Sequence, residues 1–385
     1  MNETLNLGDN FSRRLDVSDN DRFFMELALE EAGKGLGRTS PNPCVGAVIV
    51  RDGEVVGRGY HKKAGTPHAE IHALADAGPA ARGATMYVTL EPCNHTGRTP
   101  PCSHAVVAAG LVRVVIGLSD PNPVAGGGVQ YLLDRGIEVT TGVCEHECRM
   151  INLPFIKHIT TKIPWVVMKA GMSLDGRISY RKGQGGAITC RESGQVVHTL
   201  RNQIDAILIG AETARIDNPS LTTRLEDRPG RDPLRVILDS RLRLDPDAVL
   251  LAQNSSAATW IFCTQRASAE KEAGLQRAGA VVYRVAETSQ HHVDLAEVLS
   301  VLGAKNIVSV FVEGGAGVHG SFLRRGLVDE VFLFIAPFFI GDTGLPLLHG
   351  YSSSSADSVV QLVDVSVKQV GADTLIHGFF PDQGQ

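Results

Sequence analysis

Three short segments carry side chains that together could hold and use a metal ion: His68-Ala69-Glu70, Glu91-Pro92-Cys93 and Pro100-Pro101-Cys102. One histidine and two cysteines make three ligands and leave the fourth tetrahedral position of zinc to water. Sites left open in this way are catalytic, whereas structural sites close with a fourth protein ligand. Zinc lowers the pKa of such a water to about 7, which makes hydroxide available at neutral pH. Positions i and i+2 lie on nearly opposite sides of a helix, so His68 and Glu70 can serve one ion only from a helix start, which Pro67 suits. Pro100-Pro101 marks a second start, carrying Cys102, and a helix N-terminus favours thiolate over thiol. The expected geometry is two helix starts converging on one zinc ion.

Glu70 then stands beside the metal without binding it, free to take a proton from water and pass it to a ring nitrogen and a departing ammonia. An H-x-E segment followed by a proline-cysteine and a second cysteine is the pattern of zinc-dependent nucleobase deamination. Here eight residues, Asn94 to Pro101, separate the two cysteines. Two rivals stand beside this reading. One is a purely structural zinc in a binding module, against which a glutamate beside a three-ligand set speaks. The other is a nucleic-acid base deaminase with an accessory domain, against which the acidic charge balance speaks.

The elements that must position these residues alternate. A helix is expected over Asp19–Gly35, a hairpin over Val45–Val50 and Glu54–Tyr60 turning at Asp52-Gly53, and helix Ala69–Ala77 after it. Strand Thr85–Leu90, helix Ser103–Ala109, strand Val112–Leu118, helix Val129–Arg135 and strand Ile137–Thr140 follow. That alternation means a layered α/β sheet with helices on both faces. Apolar runs resume after Pro164, with strands near Trp165–Lys169, Ala206–Gly210, Leu234–Leu238, Thr259–Thr264, Val281–Val285 and Ile307–Val312. Helices fall near Gly194–Asn202, Ala269–Ala278, Asp294–Leu302 and Val318–Arg325, and three strand-like segments close the chain. Two domains are therefore expected in the 385 residues, 18–150 and 163–385.

A formal net charge of −5 offers no basic field for a nucleic-acid backbone, although a phosphorylated small molecule needs only one or two arginines. Met1 to Asn20 has no apolar signal segment, and the longest apolar run, Val331–Ile340, is far short of a membrane span. A cytoplasmic protein is expected. The seven cysteines should then be reduced, which turns attention from disulfides to metal.

The run EPCNHTGRTPPC, with HAE and PNPCVGAVIV before it, resembles the deaminase domain of the bifunctional riboflavin-biosynthesis deaminase–reductases, and the likeness runs from near Phe24 to the chain end. The resemblance implies a cytidine-deaminase-like three-layer α/β/α domain in which His68, Cys93 and Cys102 hold zinc, Glu70 shuttles protons, and Asn42, His95 and Arg98 contact substrate. The second half is similar to the family's reductase, a dihydrofolate-reductase-like α/β domain. The motifs are Lys169-Ala-Gly-Met-Ser-Leu-Asp-Gly-Arg177, Asp217-Asn-Pro-Ser-Leu-Thr-Thr-Arg224, Arg235-Val-Ile-Leu-Asp-Ser240 and Val312-Glu-Gly-Gly-Ala-Gly317. In the last, a strand runs into glycines that open a helix, a start of the kind that binds phosphate.

By resemblance, Gly171, Ala187, Thr213, Asp217, Ser240 and Gly315, Ala316 and Gly317 touch NADPH. Lys169, Gly185, Arg201, Leu221, Arg224 and Glu313 hold the substrate and its sugar phosphate. The chain departs from the family at Gly185-Gly186-Ala187-Ile188-Thr189, where Ala187 replaces a tryptophan expected against the cofactor; a deaminase with an inactive reductase domain is the alternative this raises. The implied reactions are hydrolytic deamination of 2,5-diamino-6-ribosylamino-4(3H)-pyrimidinone 5′-phosphate, then NADPH reduction of its ribosyl to a ribityl chain, in a homo-oligomer. Cys144-Glu-His-Glu-Cys148 reads as a polar linker with incidental thiols, and His158, His198, His291 and His292 as surface residues.

Overall fold

The computed structural model describes residues 19–95, 100–122 and 126–381. The chain forms two compact units, one of residues 19–39 and 43–152, the other of 153–381 together with Ser40–Asn42. Arg98 lies outside the described residues.

The first unit contains α1 (Asp19–Gly33), β1 (Gly46–Arg51), β2 (Glu54–Tyr60), α2 (Ala69–Ala77), β3 (Thr85–Leu90), α3 (Cys102–Ala108), β4 (Arg113–Leu118), α4 (Gly128–Leu133), β5 (Glu138–Thr141) and α5 (Glu145–Met150). Its sheet runs β2-β1-β3-β4-β5, antiparallel through the β1–β2 hairpin and the β1–β3 pair and parallel beyond. Two faces of buried side chains explain the near-continuous apolar runs of β1, β3 and β4. Gly46 lies under the α1 backbone and Gly117 under Cys148 of α5, while Gly57 and Gly59 lie under α2 on the opposite face. The unit is a three-layer α/β/α sandwich.

The second unit contains α6 (Leu153–Thr161), β6 (Trp165–Ser173), β7 (Arg177–Ser179), α7 (Arg191–Gln203), β8 (Ala206–Gly210), α8 (Ala211–Asp217), β9 (Leu234–Leu238), β10 (Thr259–Cys263), α9 (Ala269–Arg277), β11 (Ala280–Arg284), α10 (Leu295–Ala304), β12 (Ser309–Val312), α11 (Ala316–Arg324), β13 (Glu330–Ala336), β14 (Leu345–Pro346), β15 (Val363–Val370) and β16 (Asp373–Phe379). The nine-stranded sheet has the order β11-β10-β9-β8-β12-β6-β13-β16-β15. Its first seven strands are parallel; β16 pairs antiparallel with β13, and β15 antiparallel with β16. Period-two alternation divides the core: Ala206, Leu208, Val236 and Phe262 enter one cluster, and Ile207, Ile209, Ile237 and Ile261 the other. After β6 the chain continues into β8 to β11 and returns as β12, between β8 and β6. That point of reversal is where open α/β sheets bind ligands, outside the carboxyl ends of the strands.

Two expectations are corrected. Cys144 to Cys148 cap and begin helix α5 rather than forming a polar linker, and Cys148 is wholly buried against β4 because Gly117 leaves room for its sulfur. His158 is a core residue: its Nε2 meets the Gly303 carbonyl at 3.1 Å. Among the described residues no helix is long and apolar enough to cross a membrane.

Candidate active sites

In the first unit, His68 is the N-cap of α2 and Cys102 the first residue of α3, so two helix starts do converge. Cys93 follows β3 and closes the group. The ligand atoms of His68, Cys93 and Cys102 lie within 4.8 Å of one another. The His68 Nδ1 is 3.6 Å from the Cys93 sulfur and 3.3 Å from that of Cys102. With Zn–S near 2.3 Å and Zn–N near 2.1 Å in tetrahedral array, nitrogen and sulfur on one ion stand about 3.6 Å apart, so the three residues fit zinc. The Cys102 amide, at the open end of α3, donates to the Cys93 sulfur at 3.4 Å. Hydrogen bonding from Cys102, then from His68, holds the Cys93 thiol well below its ordinary value, and bonding to Cys93 raises His68.

Glu70 is buried and its carboxylate reaches Cys102; burial raises its pKa. It is therefore beside the three ligands as a fourth polar group. His95 is half-buried, and among the described residues its Nδ1 has no hydrogen-bond partner. Asn42, also half-buried, groups with the second unit.

Sequence reasoning passed over two supports of this site. His61, after β2, is buried with its ring edge-on to His68 at 5.3 Å and its Nδ1 3.2 Å from the Pro67 carbonyl, so it fixes the turn that presents His68. Glu91 accepts the amides of Asp120, Gly127 and Val129, tying the segment after β4 to the one carrying Cys93. The Glu-Pro-Cys run held a signal for Glu91. His61 lies outside every motif.

In the second unit the residues expected to act together gather at the carboxyl edge of the parallel strands. Lys169 and Gly171 are on β6, Thr213 and Asp217 on α8 after β8, Ser240 just beyond β9, Glu313 to Gly315 between β12 and α11, and Ala316 and Gly317 at the start of α11. Arg201 of α7 grips Glu313 with two bonds, 2.6 and 3.0 Å, and the Lys169 ammonium stands 3.5 Å from the same carboxylate. Against the effect of burial, Arg201 and then Lys169 hold the Glu313 carboxyl down at about 2. The exposed Arg224 bonds the hydroxyls of Ser220 and Thr222 through Nη1.

Three close approaches shape the rest. A Cβ on Gly185 would stand 2.0 Å from Asp217 Oδ1, one on Gly171 2.8 Å from Thr189, and one on Gly315 3.1 Å from Thr213 Oγ1. The 185–189 segment therefore lies on Asp217 and β6 with Ala187 exposed, and the glycine loop abuts α8. Ser240 Oγ is engaged by the Val293 amide at 3.1 Å, and Leu221 is buried with a φ of +53°. His198 is half-buried rather than on the surface. Burial, then Arg201 and Arg224, push it down to about 4. His319, wholly buried behind the glycine loop, is likewise lowered to about 4 by burial and has no hydrogen-bond partner of normal geometry among the described residues.

Fold and sites together define a zinc-dependent deaminase joined to a pyridine-nucleotide-dependent reductase. Residues 18–118 match the cytidine and deoxycytidylate deaminase zinc-binding region, and residues 164–376 match the RibD C-terminal domain. The riboflavin biosynthesis protein RibD of Bacillus amyloliquefaciens is 41% identical over 92% of this chain and 94% of its own length. That of Escherichia coli K12 is 40% identical over 93% and 98%. Among solved structures, Acinetobacter baumannii RibD superposes with a TM-score of 0.85 at 34% identity, covering 94% of this chain and 99% of that one. A diaminohydroxyphosphoribosylaminopyrimidine deaminase/5-amino-6-(5-phosphoribosylamino)uracil reductase from Thermotoga maritima gives 0.81 at 36% identity over 94% and 99%. The chain belongs to the RibD family of bifunctional riboflavin-biosynthesis enzymes, with zinc and NADPH as cofactors.

Proposed function

We propose that the chain's own residues divide the two reactions as follows. His68, Cys93 and Cys102 hold zinc, which when bound supplies a water of lowered pKa at neutral pH. Glu70 takes the proton released as that water adds to C2 of the diaminopyrimidine nucleotide, and delivers it to the ring nitrogen and the departing ammonia. Asn42, His95 and Arg98 orient the ring and its phosphate. The observation that carries this reading is the His68–Cys93–Cys102 triangle at two helix starts with buried Glu70 against it.

In the second unit, Arg201 and Arg224 bracket a sugar phosphate, for which guanidinium forks suit bidentate contact. Glu313 fixes Arg201 and Lys169, and Lys169 orients the ribosyl group. Gly185 and Leu221 shape the substrate side. NADPH, when bound along Gly171, Ala187, Thr213, Asp217, Ser240 and Gly315 to Gly317, supplies the hydride that reduces C1′. The contacts of Gly185 with Asp217 and of Gly171 with Thr189 keep this loop in place without the aromatic, which favours an active reductase over an inactive one. The substrate is a free phosphorylated pyrimidine and not nucleic acid, in keeping with the acidic charge balance, and the enzyme is a cytoplasmic homo-oligomer. The exposed Val363, Val365 and Val367 on edge strand β15 support self-association, since soluble proteins usually protect such edges.

The test is ammonia release from the diaminopyrimidine nucleotide together with substrate-dependent NADPH oxidation. Glu70→Gln should keep its zinc and lose about 10²–10⁴ in deamination rate, the scale of general acid–base catalysis. Full activity in that variant would remove Glu70 from the proton path. Ammonia release without NADPH oxidation would mean that Ala187 has cost the second reaction.

A further inference from the structure

His198 and Arg201 sit three positions apart on α7 and so share one helical face. Both bond the backbone of the segment that ends at Arg224. His198 Nδ1 accepts the Arg224 amide at 3.2 Å, and Arg201 Nη1 donates to the Thr222 carbonyl at 3.2 Å. In an extended segment the carbonyl of one residue and the amide two further on point to the same side, where a neighbouring strand would meet them. Two side chains of a helix take that strand's place here. The residue between is held from elsewhere: the Thr223 amide donates to Asp232 and its hydroxyl to the Arg231 carbonyl. Leu221, just upstream, has a left-handed backbone that a bulky residue keeps only when its surroundings enforce it.

We infer that His198 is a positioning residue of the reductase: by accepting the Arg224 amide it holds the 220–224 segment against α7 and sets the Arg224 guanidinium where the sugar phosphate binds. This rests on the assignment of Arg224 to that phosphate. The chemistry asks for a histidine that stays neutral, because an amide donor needs a lone pair on Nδ1, which places the ring proton on Nε2. The groups acting on the ring are Arg201, Arg224 and Lys169, which oppose its protonation, and Glu313, which favours it; burial weighs with the first three. Lysine or a charged histidine at this position would have only donors to offer.

The test is steady-state reduction of the deaminated ribosylaminopyrimidine phosphate at saturating NADPH. His198→Ala should raise KM about five- to tenfold, the scale of one lost hydrogen bond, and leave kcat nearly unchanged. Asparagine carries its oxygen where Nδ1 stands, so His198→Asn should restore KM, whereas His198→Gln, which places its amide near the position of Nε2, should not. In an Arg224→Ala background, His198→Ala should add nothing. Arg224→Ala with unchanged KM would strike the phosphate assignment itself. A raised KM in Arg224→Ala beside an unchanged one in His198→Ala would overturn the inference alone. So would His198→Asn as impaired as alanine, or effects of the two sites that multiply. Should His198→Ala not fold, the asparagine–glutamine pair carries the same comparison.

Discussion

Two glutamates show how context divides one side-chain chemistry. Glu70 and Glu313 are both largely buried, and burial alone raises a carboxyl pKa. Glu70 ends raised, whereas Glu313 ends at about 2 because Arg201 and Lys169 stand against it. A depressed carboxyl contributes stability that is fully present above its ordinary value of 4.5 and is lost as pH falls from there through about 2. Glu313→Gln should therefore destabilise the second unit at neutral pH by about 3 kcal/mol, with Arg201 and Lys169 left without their counter-charge. The difference from the parent should shrink on acidification below pH 4.5. Denaturant melts across that range check it, and parallel curves would show that the carboxylate is not what steadies the two cations.

At the scale of elements, the zinc site depends on how closely α2 can lie on β2. A Cβ on Gly59 would stand 2.4 Å from the Ala69 carbonyl and the Ala73 amide, backbone atoms of the turn that begins at His68. Gly59→Val should push that turn outward. Zinc affinity should fall about 10–100-fold, the range seen when a ligand's support is disturbed, measured by competition with a chelating dye. Unaltered affinity would mean that His68 is placed by His61 and Pro67 alone. The helix starts themselves were legible, because Pro67 and Pro100-Pro101 are local punctuation and the i, i+2 spacing of His68 and Glu70 admits few placements. What stayed hidden depends on contacts distant in sequence. Cys148 is buried by a glycine on β4, His158 by a carbonyl on α10, and His198 gains meaning only from an amide of a loop 26 residues away. Helix α8 is seven residues long, too short for a periodic signal, yet it carries Thr213 and Asp217.

Among the described residues there are two large sheets, one in each unit, beside the short β14–β7 pair; the zinc triangle is carried by the first and the Glu313 ion-pair cluster by the second. In the second sheet the return of β12 between β8 and β6 brings Glu313 beside residues from positions 169 and 201, a meeting no local pattern could announce. Two cores of this kind imply two cooperative transitions. A ligand that binds only the folded form of one core should move only that transition. Calorimetry with and without a chelator should lower the melting of the unit that holds His68, Cys93 and Cys102 and leave the other where it was, since structural coupling of zinc runs through those three residues. Glu313→Gln should do the reverse. If chelation instead shifted both transitions together, or if only one transition existed, the two cores would be melting as a single cooperative body, and the loss of zinc would then weaken NADPH-dependent reduction as well as deamination.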